Sequence, residues 1–143
     1  MCEKDIVLKH FNSISTTYDE NNKKVYWKLA DNLLWEIIKE YIPKDRQVTL
    51  LELGAGTGEW AYKILKEFDN ISCVLVDFSN NMLNRAKEKL KEFKNRVKII
   101  NSDINDLKLT EQFDIVLNIY VLPFFNNTNK LIEIVSSHLK SGG

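Results

Sequence analysis

Glycine is almost absent from this 143-residue chain. There are five; two are the last residues, Gly142 and Gly143, and the other three, Gly54, Gly56 and Gly58, fall in one short stretch. Cysteine is scarcer still: Cys2 and Cys73 supply neither a disulfide framework nor a metal-site spacing. Cys73 lies in an apolar run and reads as a small core residue. Net charge is missing, with 20 basic residues against 20 acidic. That removes the basic footprint of a nucleic-acid-binding protein, and lysines mixed with acids, as in KEKLKEFKNR, read as solvated helix faces. No apolar run approaches membrane-spanning length, and the opening MCEKDIVLKHF has no long apolar stretch of the signal-peptide kind. A G-x-S-x-G nucleophile elbow and an H-E-x-x-H metal signature are both lacking. The expectation is a soluble, cytoplasmic protein with no metal and with neither nucleic acid nor membrane as partner.

What is there reads as one domain with alternating elements. Val25, Leu29, Leu33, Ile37 and Tyr41, four apart with Leu34 and Ile38 beside them, predict an amphipathic helix over 22–41. Pro43 stops it. VTLLEL (Val48 to Leu53) reads as a short buried strand, and Glu59 to Phe68 as a helix with Ala61, Ile64, Leu65 and Phe68 on one side. ISCVLV (Ile71 to Val76) is a second strand. Ser79 is a plausible cap for a helix carrying Met82, Leu83, Ala86, Leu90 and Phe93. Val97 to Ile100 is a third strand and FDIVLNI (Phe113 to Ile119) a fourth, and Thr128 could cap a last helix. Apolar strands between amphipathic helices imply an α/β fold, a doubly wound parallel sheet covered on both faces with right-handed crossovers.

The glycines stand in LLELGAGTGEW, between the first strand and its following helix. In an open α/β sheet that is where ligands bind. Glycine there permits positive φ and close approach to bare backbone, while a helix start offers unpaired N–H groups. A tight ligand-free turn would need only one glycine, so three point to a cradle for a nucleotide-like ligand. Two cofactor classes fit. Gly56, Gly58 and Ala61, with Asp77 beyond, match a weak form of the dinucleotide fingerprint.

The other class rests on a resemblance. Glu52-Leu53-Gly54-Ala55-Gly56-Thr57-Gly58 resembles the E/D-x-G-x-G-x-G motif of class I S-adenosylmethionine-dependent methyltransferases. Glu52 weighs in the choice, since a carboxylate there would repel a pyrophosphate but suit ammonium and sulfonium charges. VDFS (Val76 to Ser79) is similar to the family's segment after the second strand. By that resemblance Asp77 would bind both ribose hydroxyls, as an acceptor-only carboxylate can, and Phe78 and Met82 would flank the adenine. SDIND (Ser102 to Asp106) is similar to the segment after the third strand, where Asp103 would accept the adenine amino group and Ile104 cover the ring. FDIVLNIYVLPF resembles the fourth strand and its loop, which adds Asn118 to the cofactor residues together with Ala55 from the turn, and LKSGG resembles the lead-in to a fifth strand. In an ordinary turn Asp77 or Asp103 would only be a polar loop former, and Phe78 and Met82 could be core. The segment HFNSISTTYDENN (His10 to Asn22) is similar to the family's small-molecule members, which implies a lid of Phe11 and Tyr18 with the tyrosine hydroxyl near the methionyl end.

The resemblance implies a Rossmann-like fold in which residues 1–46 form an N-terminal helical segment and lid and 47–143 the cofactor-binding core, with about four of the fold's seven strands present. It implies S-adenosyl-L-methionine as cofactor and transfer of its methyl group. Such a displacement needs alignment and in some cases a base, for which His10, Tyr18 and Tyr120 qualify by chemistry alone. His138, in the last helix, reads as a surface or cap residue. Asn118-Ile119-Tyr120-Val121 departs from the N-P-P-Y motif of amino-methylating nucleic-acid and protein enzymes, so a small-molecule acceptor is expected. A non-catalytic nucleotide- or partner-binding module and an NAD(P)-dependent oxidoreductase are the alternatives. The chain stops where a fifth strand would begin, so the expectation is a fragment or short form, with self-association through an uncovered fourth strand.

Overall fold

The computed structural model describes residues 3–21, 25–125 and 127–142. Four parallel strands, β1 (Val48–Leu53), β2 (Ile71–Asp77), β3 (Val97–Asn101) and β4 (Ile115–Leu117), lie in the order β3-β2-β1-β4. The chain therefore winds outward from β1 to β3, then returns to the opposite side of β1. That reversal is the topological switch point at which doubly wound sheets open a crevice.

The two faces follow from strand alternation. Val48 and Leu50 of β1, with Ile71, Cys73 and Leu75 of β2, face one layer, built by α3 (Val25–Tyr41), α4 (Glu59–Glu67) and α5 (Asn80–Lys89). Leu51, Leu53 and Val76 face the other, where α6 (Thr128–His138) supplies Leu131, Ile134 and Val135. Both layers are built of apolar side chains, and each fully buried aliphatic one contributes about 1.5–3 kcal/mol. Arg96 fastens the first layer: its guanidinium donates to the Phe68 and Leu65 carbonyls at 2.7 and 2.8 Å, satisfying the end of α4.

Several local expectations are corrected. The stripe on α3 forms a helix, but Leu29, Leu33, Ile37 and Tyr41 are half to three-quarters exposed. The helix instead turns Trp35 and Ile38 to the core, Trp35 meeting Phe68 edge-on at 6.5 Å. Periodicity identifies a helix; it does not say which apolar side the rest of this chain covers. The expected helix start at 22–24 and the side chain of Val25 lie outside the described residues. The fourth strand is shorter than Phe113 to Ile119, because Phe113 pairs singly with Leu139 and the backbone leaves the sheet after Leu117, with Tyr120 at φ 61°. The cap of α6 is Asn127, whose side chain accepts the Lys130 amide at 3.2 Å; Thr128 is the first helical residue. Asn127 stands one position earlier, where the backbone is still extended. His138 is buried rather than on the surface, its Nδ1 bonded to the Ile134 carbonyl at 2.7 Å. The Ser79 cap is present, accepting the Met82 amide at 3.2 Å.

Ahead of the sheet lie α1 (Glu3–Ile14) and α2 (Tyr18–Asn21). α1 packs on α5, so the N-terminal segment crosses above the carboxyl ends of the strands. Among the described residues no helix is long and apolar enough to cross a membrane.

Candidate functional site

The site begins with the turn after β1. Gly54, Gly56 and Gly58 have φ of 74°, 53° and 73°, values that a side chain makes costly. Their surroundings differ. A Cβ on Gly54 would overlap the Val121 side chain from the loop after β4, and one on Gly58 would press on Leu90, just past α5, and on Ala86 of α5 at 3.0 and 3.1 Å. A Cβ on Gly56 would meet nothing within 4 Å among the described residues. Gly56 thus borders open space, while its neighbours let two elements close tightly around it.

That space is a cavity of about 460 Å³ lined by Gly54, Gly56, Asp77, Phe78, Met82, Asp103 and Ile104, a size typical of small-molecule sites. Tyr18, Phe11, Val7 and Lys4 of the N-terminal segment and Val121, Pro123, Phe124 and Phe125 of the loop after β4 complete its lining. Phe11 is the hub of the rim, with ring centroids 6.2 Å from Tyr18, 6.4 Å from Phe78 and 5.2 Å from Phe124. A second cavity of about 250 Å³ adjoins it across the turn, lined by Glu52, Ala55, Thr57, Lys28, Asp31 and Lys63, and Tyr18, Gly54, Gly56 and Tyr120 border both.

The carboxylates are held differently. Asp77 accepts the Ser79 amide on Oδ1 at 2.8 Å and the Gly56 amide on Oδ2 at 2.9 Å. A carboxylate has about four lone-pair sites, so acceptor capacity remains on the cavity side. Burial pushes its pKa up, and the Ser79, Gly56 and Phe78 amides offset that only in part. Asp103 accepts twice from Asn105, at 2.8 and 3.0 Å, and pairs with Lys4 at 2.5 Å. Burial works against its charge, but Lys4 and Asn105 outweigh it and hold the carboxyl below its ordinary value. Glu52 is almost fully buried and its Oε2 has no partner among the described residues. Burial pushes its pKa to about 8; the Ala61 backbone and Lys89 ease that effect, and Asp77 adds to it. An orphaned buried carboxyl oxygen at a cavity wall is a polar group waiting for a donor.

Among the sequence candidates, the structure brings together Tyr18, Glu52, Gly54, Ala55, Gly56, Asp77, Phe78, Met82, Asp103 and Ile104 around the two cavities. Gly58 and Asn118 line neither; Gly58 serves helix packing, and the Asn118 amide nitrogen is buried without a partner among the described residues. Of the basic candidates, Tyr18 and Tyr120 reach the cavities, Tyr120 donating to Asp31 at 2.8 Å, while His10 is exposed and lines neither. Sequence reading missed Lys4, Asn12, Asp19, Thr57 and Lys89. Their side-chain partners stand at least 30 residues away along the chain, so no local pattern shows the pairings.

A parallel sheet with a three-glycine turn, an acid at the end of β2 and a cavity at the switch point defines a nucleotide-binding α/β fold. Residues 50–143 match the family model described as a methyltransferase domain, and the chain belongs to that family. It is 29% identical over its whole length to the malonyl-[acyl-carrier protein] O-methyltransferase of Priestia megaterium, covering 50% of that protein. The chain therefore spans about half the length of the curated relatives it matches. Among solved structures, a Methanococcus maripaludis protein assigned to the S-adenosyl-L-methionine-dependent methyltransferases superposes with a TM-score of 0.75 at 19% identity, over 92% of this chain and 60% of that one. The Haemonchus contortus phosphoethanolamine N-methyltransferase 2, solved with S-adenosyl-L-methionine, gives a TM-score of 0.70 at 30% identity, over 78% of this chain and 26% of the other.

Proposed function

We propose that this chain is the cofactor-binding portion of an S-adenosyl-L-methionine-dependent methyltransferase acting on a small-molecule acceptor. The observation that carries the proposal is the cavity bordered by Gly56, which Asp77 lines together with the apolar side chains Phe78, Met82 and Ile104. Its chemistry suits an adenosine: apolar walls for the base, and an acceptor-only carboxylate with spare lone pairs for two sugar hydroxyls. Asp103 would meet the adenine amine with what capacity Lys4 leaves it. The smaller cavity would take the amino-acid end, with unpartnered Glu52 beside the ammonium. A dinucleotide would instead bring a pyrophosphate, which offers no cation for that buried acid to pair with. The family membership and the relatives' names support the same reading.

The cofactor supplies a methyl group already activated on a sulfonium. The chain's part is to hold the two ends of the ligand across the turn and to keep water out with Phe11, Tyr18 and Phe124. In this reading the residues ahead of β1 act as a lid on the core that follows. Tyr18 and Tyr120 border both cavities, and in this reading they would orient an acceptor or take its proton. A small acceptor fits the absence of net charge. Titration of the 143-residue chain with S-adenosylhomocysteine, NAD and NADP tests the reading. Binding of the first alone is expected; binding of either dinucleotide in its place, or of none, would overturn it.

A further inference from the structure

The segment ahead of β1 is fastened to each of the loops that follow the first three strands. Lys4 pairs with Asp103 after β3 at 2.5 Å. Ser79, after β2, donates to the Asn12 side chain at 2.6 Å. Thr57, in the glycine turn after β1, donates to Asp19 Oδ1 at 2.6 Å. The third fastening is the most heavily built. Thr57 is buried, and the Lys89 ammonium at the end of α5 reaches Asp19 Oδ2 and Glu59 Oε2 at 2.7 Å each and the Thr57 hydroxyl at 3.3 Å. Its three donors are all spent in this one cluster.

We propose that Asp19 is a positioning residue: by gripping Thr57 and Lys89 it locks the α2 turn to the glycine turn, so that Tyr18 closes on the ligand. The proposal rests on the function proposed above and adds to it the residue that ties the lid to the turn.

The physical reason lies in what each part lacks. Helix α2 has four residues, too few to hold itself in water. Thr57 stands between two glycines of positive φ, so its side chain is the handle by which the turn can be gripped. Asp19 neighbours Tyr18, and Tyr18 borders both cavities. Loss of Asp19 leaves Lys89 on Glu59 but frees Tyr18 and the turn to move independently. Ligand binding must then order both.

The test uses the full chain with S-adenosylhomocysteine as probe, and four forms: wild type, Asp19→Ala, Tyr18→Ala and the double variant. Asp19→Ala is expected to bind about tenfold more weakly, mainly through faster dissociation, as for a lost charge-assisted bond. In the Tyr18→Ala background the same change should cost little, because the two act as one unit. Without ligand, amide exchange should rise together in α2 and in 54–58. Should Asp19→Ala fail to fold, Asp19→Asn keeps the shape but, with one acceptor oxygen in place of two, can no longer hold Thr57 and Lys89 together. Wild-type affinity in the Asp19 variant, fully additive losses, or exchange rising at one site alone overturns the proposal. A wild-type chain that ignores S-adenosylhomocysteine overturns the function reading itself, and this inference with it; additive losses in a binding-competent chain sink only the latch.

Discussion

The Asp77 carboxylate accepts the Gly56 amide at 2.9 Å, across 21 residues of sequence. One oxygen thus holds the turn in shape, while the group keeps lone pairs toward the cavity that the turn borders. The same acid builds the site and is available to the ligand.

Asp77→Asn should therefore weaken ligand binding. The amide nitrogen cannot accept, so a ligand with two hydroxyl donors loses about 1–3 kcal/mol of binding. Calorimetric titration with S-adenosylhomocysteine measures the loss, and unchanged affinity would remove Asp77 from the site.

Two glycine changes separate folding from binding. Gly56→Ala costs about 1 kcal/mol of stability, for the left-handed backbone alone, but places a methyl in the space the ligand needs and should abolish binding. Gly54→Ala drives a methyl into Val121 and should cost at least about 2 kcal/mol of stability. Thermal unfolding of both variants, with titration of the first, checks the contrast. Equal stability losses would show that Gly56 also packs against something.

Glu52 makes the free chain less stable in alkali. Its folded pKa is raised from 4.5 to about 8, so the folded state holds the proton more tightly than the unfolded one. That contribution is complete below 4.5 and is lost as pH rises through about 8. Urea midpoints should fall between pH 6 and pH 9, and Glu52→Gln should flatten that fall. The acid arm has the opposite sign. Burial works against the charge of Asp114, but Lys140, Thr49 and Arg46 overcome it and hold the carboxyl well below its ordinary value, so its support is lost as pH falls through the acid range.

Asp114 is also a purely structural test. It accepts from Arg46 at 2.7 Å, from the Thr49 amide and hydroxyl at 2.8 Å each, and from Lys140 at 2.9 Å. These bonds tie the start of β4 to β1 at the end of the sheet away from the cavity. Asp114→Ala should lower stability by about 2 kcal/mol and leave ligand affinity unchanged in the folded fraction. A drop in affinity would mean that the two ends of the sheet are coupled.

The chain itself determined the alternation of strands and helices, the parallel sheet, the turn and most of the residues around the cavity. Each of these is written in short-range patterns: apolar runs such as VTLLEL, an i, i+4 spacing, three glycines in LLELGAGTGEW, an acid at the end of β2. Only the tertiary structure decided which side of α3 is buried, where β4 ends, that Gly58 packs on α5 and that His10 stays outside. It alone brought Lys4, Asn12 and Asp19 to Asp103, Ser79 and Thr57. Those outcomes depend on what lies opposite a residue in space, and a lysine or asparagine looks the same along the chain whether it meets water or a carboxylate.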